Sequence, residues 1–153
     1  MGIGYNDTVI VYNRHFDDTL ETEYYFGTRL KNVRIELTQG ENVNKSGMKD
    51  ADTFLVKIPN NGVLPYIPPA EWQEMSEQDK SNHVTFQQND YDFVAIEKKA
   101  GLRIDRKLPE GVISSDEYPG GFFQYMASEK GNVYKVTTVS EYSLIPRFEI
   151  GGR

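Results

Sequence analysis

At 153 residues and 17.5 kDa the chain is the size of a single domain, and a chain of this length can bury about two-thirds of its unfolded surface. With no cysteine it has no disulfide framework, no thiolate zinc site and no cysteine nucleophile, and its two histidines, His15 and His83, are too few for a multi-histidine metal centre. Seventeen Lys+Arg against 23 Asp+Glu give a net charge of -6, the wrong sign for a dedicated nucleic-acid binder, although a local basic segment remains compatible with it.

The chain opens on Met1-Gly2-Ile3-Gly4-Tyr5-Asn6-Asp7, which has neither the basic nor the apolar region of a secretory signal. No later apolar run approaches the roughly 18 residues of a membrane helix. The protein is therefore expected to be made and used inside a cell. Thr8–Arg14 is a β-branched run that predicts a strand, with Val9 and Val11 on one face and Ile10 and Tyr12 on the other, closing at Asp17-Asp18. Thr22–Leu30 predicts a second, antiparallel strand. In Asn32–Thr38 the apolar Val33, Ile35 and Leu37 alternate with Arg34 and Glu36, which predicts a third, half-buried strand. Residues 39–50 hold two glycines, two asparagines and two lysines and read as a long loop. Asp52–Ile58 resumes the two-residue period, with Phe54, Val56 and Ile58 together, and Pro59-Asn60-Asn61-Gly62 ends it in a turn.

Pro65, Pro68 and Pro69 keep the next stretch out of a central strand. Ala70–Met75 is the best helix candidate, with Pro69 at its start and Trp72 and Met75 on one face; Ser76–Asn82 reads as loop. His83–Gln87 and Tyr91–Ile96 predict a hairpin around Gln88-Asn89-Asp90. From 98 to 121 the pattern weakens into a second long connection. Phe122–Met126, Val133–Val139 and Leu144–Ile150 return to strand patterning, with Pro146 pushing the last toward an edge. Eight or nine short strands, one short helix and two long loops predict an all-β domain over 1–153, a small barrel or sandwich that holds its loops out. Ten Tyr, eight Phe and one Trp suit such pleated surfaces and protein interfaces.

Few residues make a case for catalysis. Asp90 and Asp92 fit turn geometry better than a metal-binding pair, and Asp17-Asp18 is likewise a turn signal. His15 has no nucleophile in a recognisable elbow, and His83 reads as an ordinary ring at a strand start. Gly120-Gly121 and Gly151-Gly152 precede no predicted helix, so neither reads as a phosphate cradle. Glu71, Glu74, Glu77 and Asp79 surround Trp72, where a glycosidase would want paired carboxylates, but a solvated face with an amphipathic anchor explains them more simply. No catalytic, cofactor or metal-binding residue is assigned. The densest charge lies in the second long connection, where Lys98, Lys99, Arg103, Arg106 and Lys107 face a single acid, Asp105. It is either a solvated loop or a surface for phosphate or an acidic partner; without interleaved aromatics it is no stacking platform for single strands.

Several segments taken in order resemble a known family. They are Val9-Ile10-Val11-Tyr12-Asn13-Arg14, Phe54-Leu55-Val56-Lys57-Ile58-Pro59, Tyr66-Ile67-Pro68-Pro69 with Glu71-Trp72, Val84-Thr85-Phe86-Gln87 before Asp90-Tyr91, and the closing Pro146-Arg147-Phe148-Glu149-Ile150-Gly151-Gly152-Arg153. This order resembles the small minor structural proteins of tailed phages and prophages of Gram-positive bacteria, encoded among head–tail joining genes. The resemblance implies a head-closure or connector subunit: a β-barrel that assembles as a ring between portal and tail, without catalytic residues or cofactors. Its partners would be copies of itself, portal or adaptor proteins on one side and tail proteins on the other, with no membrane involved. Its place would be the neck of the virion, after the host bacterial cytoplasm. Candidate assembly contacts are Trp72, Tyr66, Arg147, Phe148 and Arg153; from charge alone, and not from the resemblance, the basic loop from Lys98 to Lys107 would meet packaged DNA through phosphates if it lined the channel. Residues 97–121 are longer and more charged than the family pattern, so the role of that loop is not carried over. Other readings compatible with the sequence are a tail terminator or completion protein of the same particle, a sugar-binding β-sandwich using Tyr and Trp, and a hydrolase built on the Trp72 segment.

Overall fold

The computed structural model describes residues 4–38 and 53–153, so the predicted loop at 39–50 lies outside the described residues. The long strands are β1 (Asp7–Asp17), β2 (Thr22–Thr38), β3 (Thr53–Pro59), β4 (Phe93–Lys99), β7 (Val133–Tyr142) and β8 (Arg147–Gly152). They pair antiparallel in the order β1-β2-β3-β8-β7-β4, and β4 returns to β1 through Val9↔Ile96 and Val11↔Val94. The result is a closed six-stranded barrel, which leaves no long edge of unpaired backbone among its own strands. Two short strands lie outside it: β5 (Ile104–Asp105) on β4 and β6 (Gly111–Ser114) on β2.

The two-residue period sets the interior. Val9 and Val11, Val33 and Ile35, Phe54, Val56 and Ile58, Val94 and Ile96, Val136, and Phe148 and Ile150 form one buried cluster drawn from all six strands. Each such side chain contributes about 1.5–3 kcal/mol on burial. The opposite faces of β1 and β4 are also buried: Ile10, Tyr12, Phe93 and Ala95 pack with Tyr25, Leu108, Ile113, Phe122 and Met126 in a second cluster. Covering on both sides is why Val9–Tyr12 of β1 and Phe93–Ile96 of β4 are unbroken apolar runs. The cover is the second long connection itself, which folds back across the barrel instead of projecting from it.

Several local expectations are corrected. Thr22–Leu30 and Asn32–Thr38 form one strand of 17 residues that pairs with β1 in its first half and β3 in its second. Asn32, at φ +59°, makes the irregularity between the halves without ending the strand. Helix α1 (Pro69–Glu74) is followed by α2 (Glu77–Ser81) where a loop was expected, because the Ser76 hydroxyl accepts the Asp79 N–H and caps a new turn. His83–Gln87 forms no strand. Its backbone is satisfied otherwise: the Val84 N–H donates to the Pro65 carbonyl, and the Asn13 side chain donates to the Thr85 carbonyl while accepting the Thr85 N–H. Phe122–Met126 is helical, α3 (Phe122–Tyr125) running into a wider turn over Met126–Lys130. Gly120 and Gly121 have positive φ and break the incoming chain, and the Ser115 hydroxyl accepts the Phe122 N–H at 2.8 Å. Phe122 and Met126, four residues apart, then fall on one face and are both fully buried.

Candidate functional site

The basic stretch does not act as one loop. Lys98 and Lys99 belong to β4, and the Lys99 ammonium pairs with Asp7 at 3.3 Å. Arg106 is a structural clamp: its guanidinium donates to the carbonyls of Ile96, Lys130 and Gly131, stitching β4 to the turn after α3. Burial pushes its pKa down, although the Tyr12, Glu97 and Tyr134 side chains favour its charge. Arg103 is exposed, at φ +57° after a 3-10 turn over Ala100–Leu102. Lys98 and Lys107, unlike Arg103, line a hollow.

These two meet residues that the local sequence did not single out. A polar hollow of about 400 Å³ lies between the bend of β2 and the β4–β5 corner, lined by Arg29, Lys31, Lys98, Arg106 and Lys107 against the carboxylates of Glu97 and Asp105. Arg29 is engaged, forking onto Glu97 and reaching Glu110. Burial raises the Glu97 pKa, but hydrogen bonds from Arg29 and from the Leu108 N–H, with the nearby charges of Arg29 and Lys107, outweigh it and hold the carboxyl below its usual range. Among the described residues, no carboxylate pairs with Lys31, Lys98 or Lys107. With five cations against two carboxylates in its lining, the hollow has a surplus of positive charge that can take a phosphate or carboxylate. Lys31 comes from a strand 67 positions before Lys98, so its place in the site depends on the pairing Thr8↔Lys31 and Thr8↔Lys98.

The residues expected at assembly contacts divide. Trp72 and Phe148 are in the interior, 0% and 1% exposed, which corrects their assignment as surface contacts. Trp72 sits edge-on to Phe26 and its indole N–H donates to the His83 carbonyl, while Tyr66 is half-buried and packs on Phe86 and Phe148. All three anchor the segments from Leu64 to Phe86 to the barrel. Arg147 is partly exposed, paired with Glu149 and laid over the Tyr142 ring at 4.4 Å; the Arg153 side chain is exposed. Exposed large apolar groups include Phe16 and Leu20 at the β1–β2 turn, and Val63, Leu144 and Ile145 around the β7–β8 turn, with Tyr91, Leu102, Val112 and Tyr142 less exposed elsewhere. Beside that second turn, a cleft of about 720 Å³ opens between β2, the end of β3 and Pro146.

The remaining candidates have structural roles. Asp92 is 1% exposed and accepts from the Asn13, Gln87 and Asn89 amides and from the Arg14 N–H. Asp90 points to solvent at φ +67°. Glu71, Glu74, Glu77 and Asp79 are exposed, away from the buried Trp72 ring. Gly120-Gly121 does precede a helix, contrary to expectation, but that helix has four residues and its first N–H is already taken by Ser115. Gly151-Gly152 lies inside β8, buried against β7. Among the described residues no group of three or more His, Asp or Glu side chains could hold a metal ion, and no helix is long and apolar enough to cross a membrane.

No curated protein and no solved structure matches the chain. Residues 4–153 match the model of a family of unknown function, DUF6751, and with nearly its whole length covered the chain belongs to that family.

Proposed function

We propose that this protein is a structural subunit of a tailed-phage or prophage particle at the head–tail junction, a head-closure or connector component that assembles with copies of itself. The observation that carries the reading is the division of labour on the barrel. Its interior is closed and the outer faces of β1 and β4 are covered, yet large apolar side chains stand out at two turns, with Leu20 63% and Leu144 95% exposed. Exposed apolar tips on a well-packed scaffold suit insertion into neighbouring subunits. The ammonium groups of Lys31, Lys98 and Lys107, which form no salt bridge among the described residues, suit phosphate contacts with DNA passing through such an assembly.

Head and tail proteins would be its other partners, and the virion neck its place. The experiment is to delete the gene from a producing phage or prophage and image the particles, then restore it in trans. The reading expects DNA-filled heads that leak or lack tails, cured by the restored gene; normal particles without the protein overturn it. The sugar-binding alternative loses its best platform, since Trp72 is wholly buried and the exposed rings of Tyr91 and Tyr142 are already covered by Arg14 and Arg147.

A further inference from the structure

We infer that the β1–β2 turn of one copy seats in the cleft beside Lys31 and Arg147 of the next, a head-to-tail contact between copies of this chain. The turn carries Asp17, Asp18 and Glu21 with no basic residue among them, and Phe16 and Leu20 stand 41% and 63% exposed on it. It is shaped in advance: the Asp17 carboxylate accepts the N–H groups of Thr19 and Leu20 at 2.9 and 3.1 Å. The cleft supplies the complement. Its lining holds three cations, of which Arg29 and Arg147 are held by Glu97, Glu110 and Glu149 while Lys31 pairs with no carboxylate among the described residues, and Val63 and Ile145 form an apolar wall. On a chain of net charge -6, the Lys31 ammonium beside that apolar wall favours an acidic knob with apolar side chains, which most of the surface repels.

The turn cannot reach its own cleft. Leu30 and Lys31 pair with Val9 and Thr8 at one end of the β1–β2 hairpin, whereas the turn closes at Asp17↔Thr22 at the other. Eight strand steps separate Thr22 from Leu30, roughly 25 Å at about 3.3 Å each. Two different patches that fit each other on separate copies make a heterologous contact, which closes into a ring when the rotation permits. The inference rests on the assembly reading above and names the surfaces that meet.

The test is light scattering and sedimentation over a concentration series, with thermal melting to confirm that each variant folds. Leu20→Asp on the turn and Ile145→Asp on the cleft wall are each expected to raise the concentration of half-assembly about tenfold or more. Mixed in equal amounts, the two variants are expected to stop at heterodimers, since only the cleft of the first and the turn of the second are intact. Asp18→Lys should weaken assembly with the wild-type cleft and recover it with Lys31→Glu. Variants that assemble like the wild type overturn this contact and leave the assembly reading standing. A wild-type chain that stays monomeric at every concentration, while gene deletion still spoils the particles, overturns self-association alone. The same monomer with normal deletion particles overturns both readings.

Discussion

The Arg29 guanidinium forks across both carboxylate oxygens of Glu97, Nε to Oε1 at 2.6 Å and Nη2 to Oε2 at 3.0 Å, joining β2 to β4, two strands that do not pair with each other. The same Oε2 accepts the Leu108 N–H at 3.0 Å, so one carboxylate ties barrel strands to the segment that covers them. Glu97→Gln removes the charge that Arg29 is oriented to meet, and the expected loss is about 3 kcal/mol in urea unfolding at neutral pH. The Glu97 carboxyl is held below its ordinary 4.5, so its contribution is present above that value and disappears as pH falls through the lower, folded value. The gap between wild type and Glu97→Gln should therefore be constant above about pH 5 and close on acidification; a gap that widens in acid contradicts this account.

Beside the second half of β1, Asn13 and Asp92 organise a buried polar knot with Thr85. Every hydrogen bond to the Asp92 carboxylate comes from a donor, so Asp92→Asn turns an amide N–H toward other donors and should cost about 2–3 kcal/mol. The Thr85 hydroxyl is buried and has no hydrogen-bond partner among the described residues. Thr85→Val keeps the shape and removes that group, so it should leave stability unchanged or raise it by about 1 kcal/mol. Paired melting curves check both, and a large loss in Thr85→Val would mean that its hydroxyl has a partner.

Close packing between the last two strands requires glycine at Gly152. A Cβ there would sit 2.8 Å from the Lys135 carbonyl oxygen and 3.0 Å from the Tyr134 Cβ, next to the register shift between Val136 and Thr138. The carbonyl is backbone and cannot swing aside. Gly152→Ala should cost about 1–3 kcal/mol through strand displacement. Gly62→Ala is the comparison, because no atom lies within 4 Å of the added carbon and only its positive φ is strained.

Two kinds of basic residue should separate in DNA binding. Lys31→Gln, Lys98→Gln and Lys107→Gln together should weaken duplex binding and lower the slope of log K against log salt by up to about 3, with little change in melting temperature. Arg106→Gln should instead lower the melting temperature, because three carbonyls lose their donor. Equal salt slopes for the triple variant and the wild type would remove DNA from the list of ligands of the hollow.

Local pattern carried the barrel strands well. Val33-Arg34-Ile35-Glu36-Leu37 and Phe54-Leu55-Val56-Lys57-Ile58 alternate because one side meets the interior and the other meets solvent or charged neighbours, and that period is written in consecutive residues. It failed where the backbone found partners outside a ladder. Val84-Thr85-Phe86 has strand composition and strand-like burial, yet its hydrogen bonds go to Pro65, Ile67 and Asn13. Phe122-Phe123-Gln124-Tyr125-Met126 has strand propensity too, but the rings of Tyr12, Tyr25 and Phe93 reward the helical spacing of Phe122 and Met126 instead.

The candidate site was half legible. Charge density marked Lys98 and Lys107, but Lys31 lies 67 positions before Lys98 among the alternating residues of a strand and joins them only through strand pairing. Arg106 looked identical to its basic neighbours; its fate was decided by the carbonyls of Lys130 and Gly131, 24 and 25 positions away.

The amino-acid order by itself determined the all-β class, the inward faces of the main strands and the absence of cysteine chemistry, because periodicity and composition are local quantities. Tertiary structure alone decided that the second long connection lies down as a cover, since only a folded barrel brings Ile10, Tyr12 and Phe93 onto a single outer face whose burial repays ordering that segment. It also decided which charges are free, because a cation's partners are chosen by proximity in space.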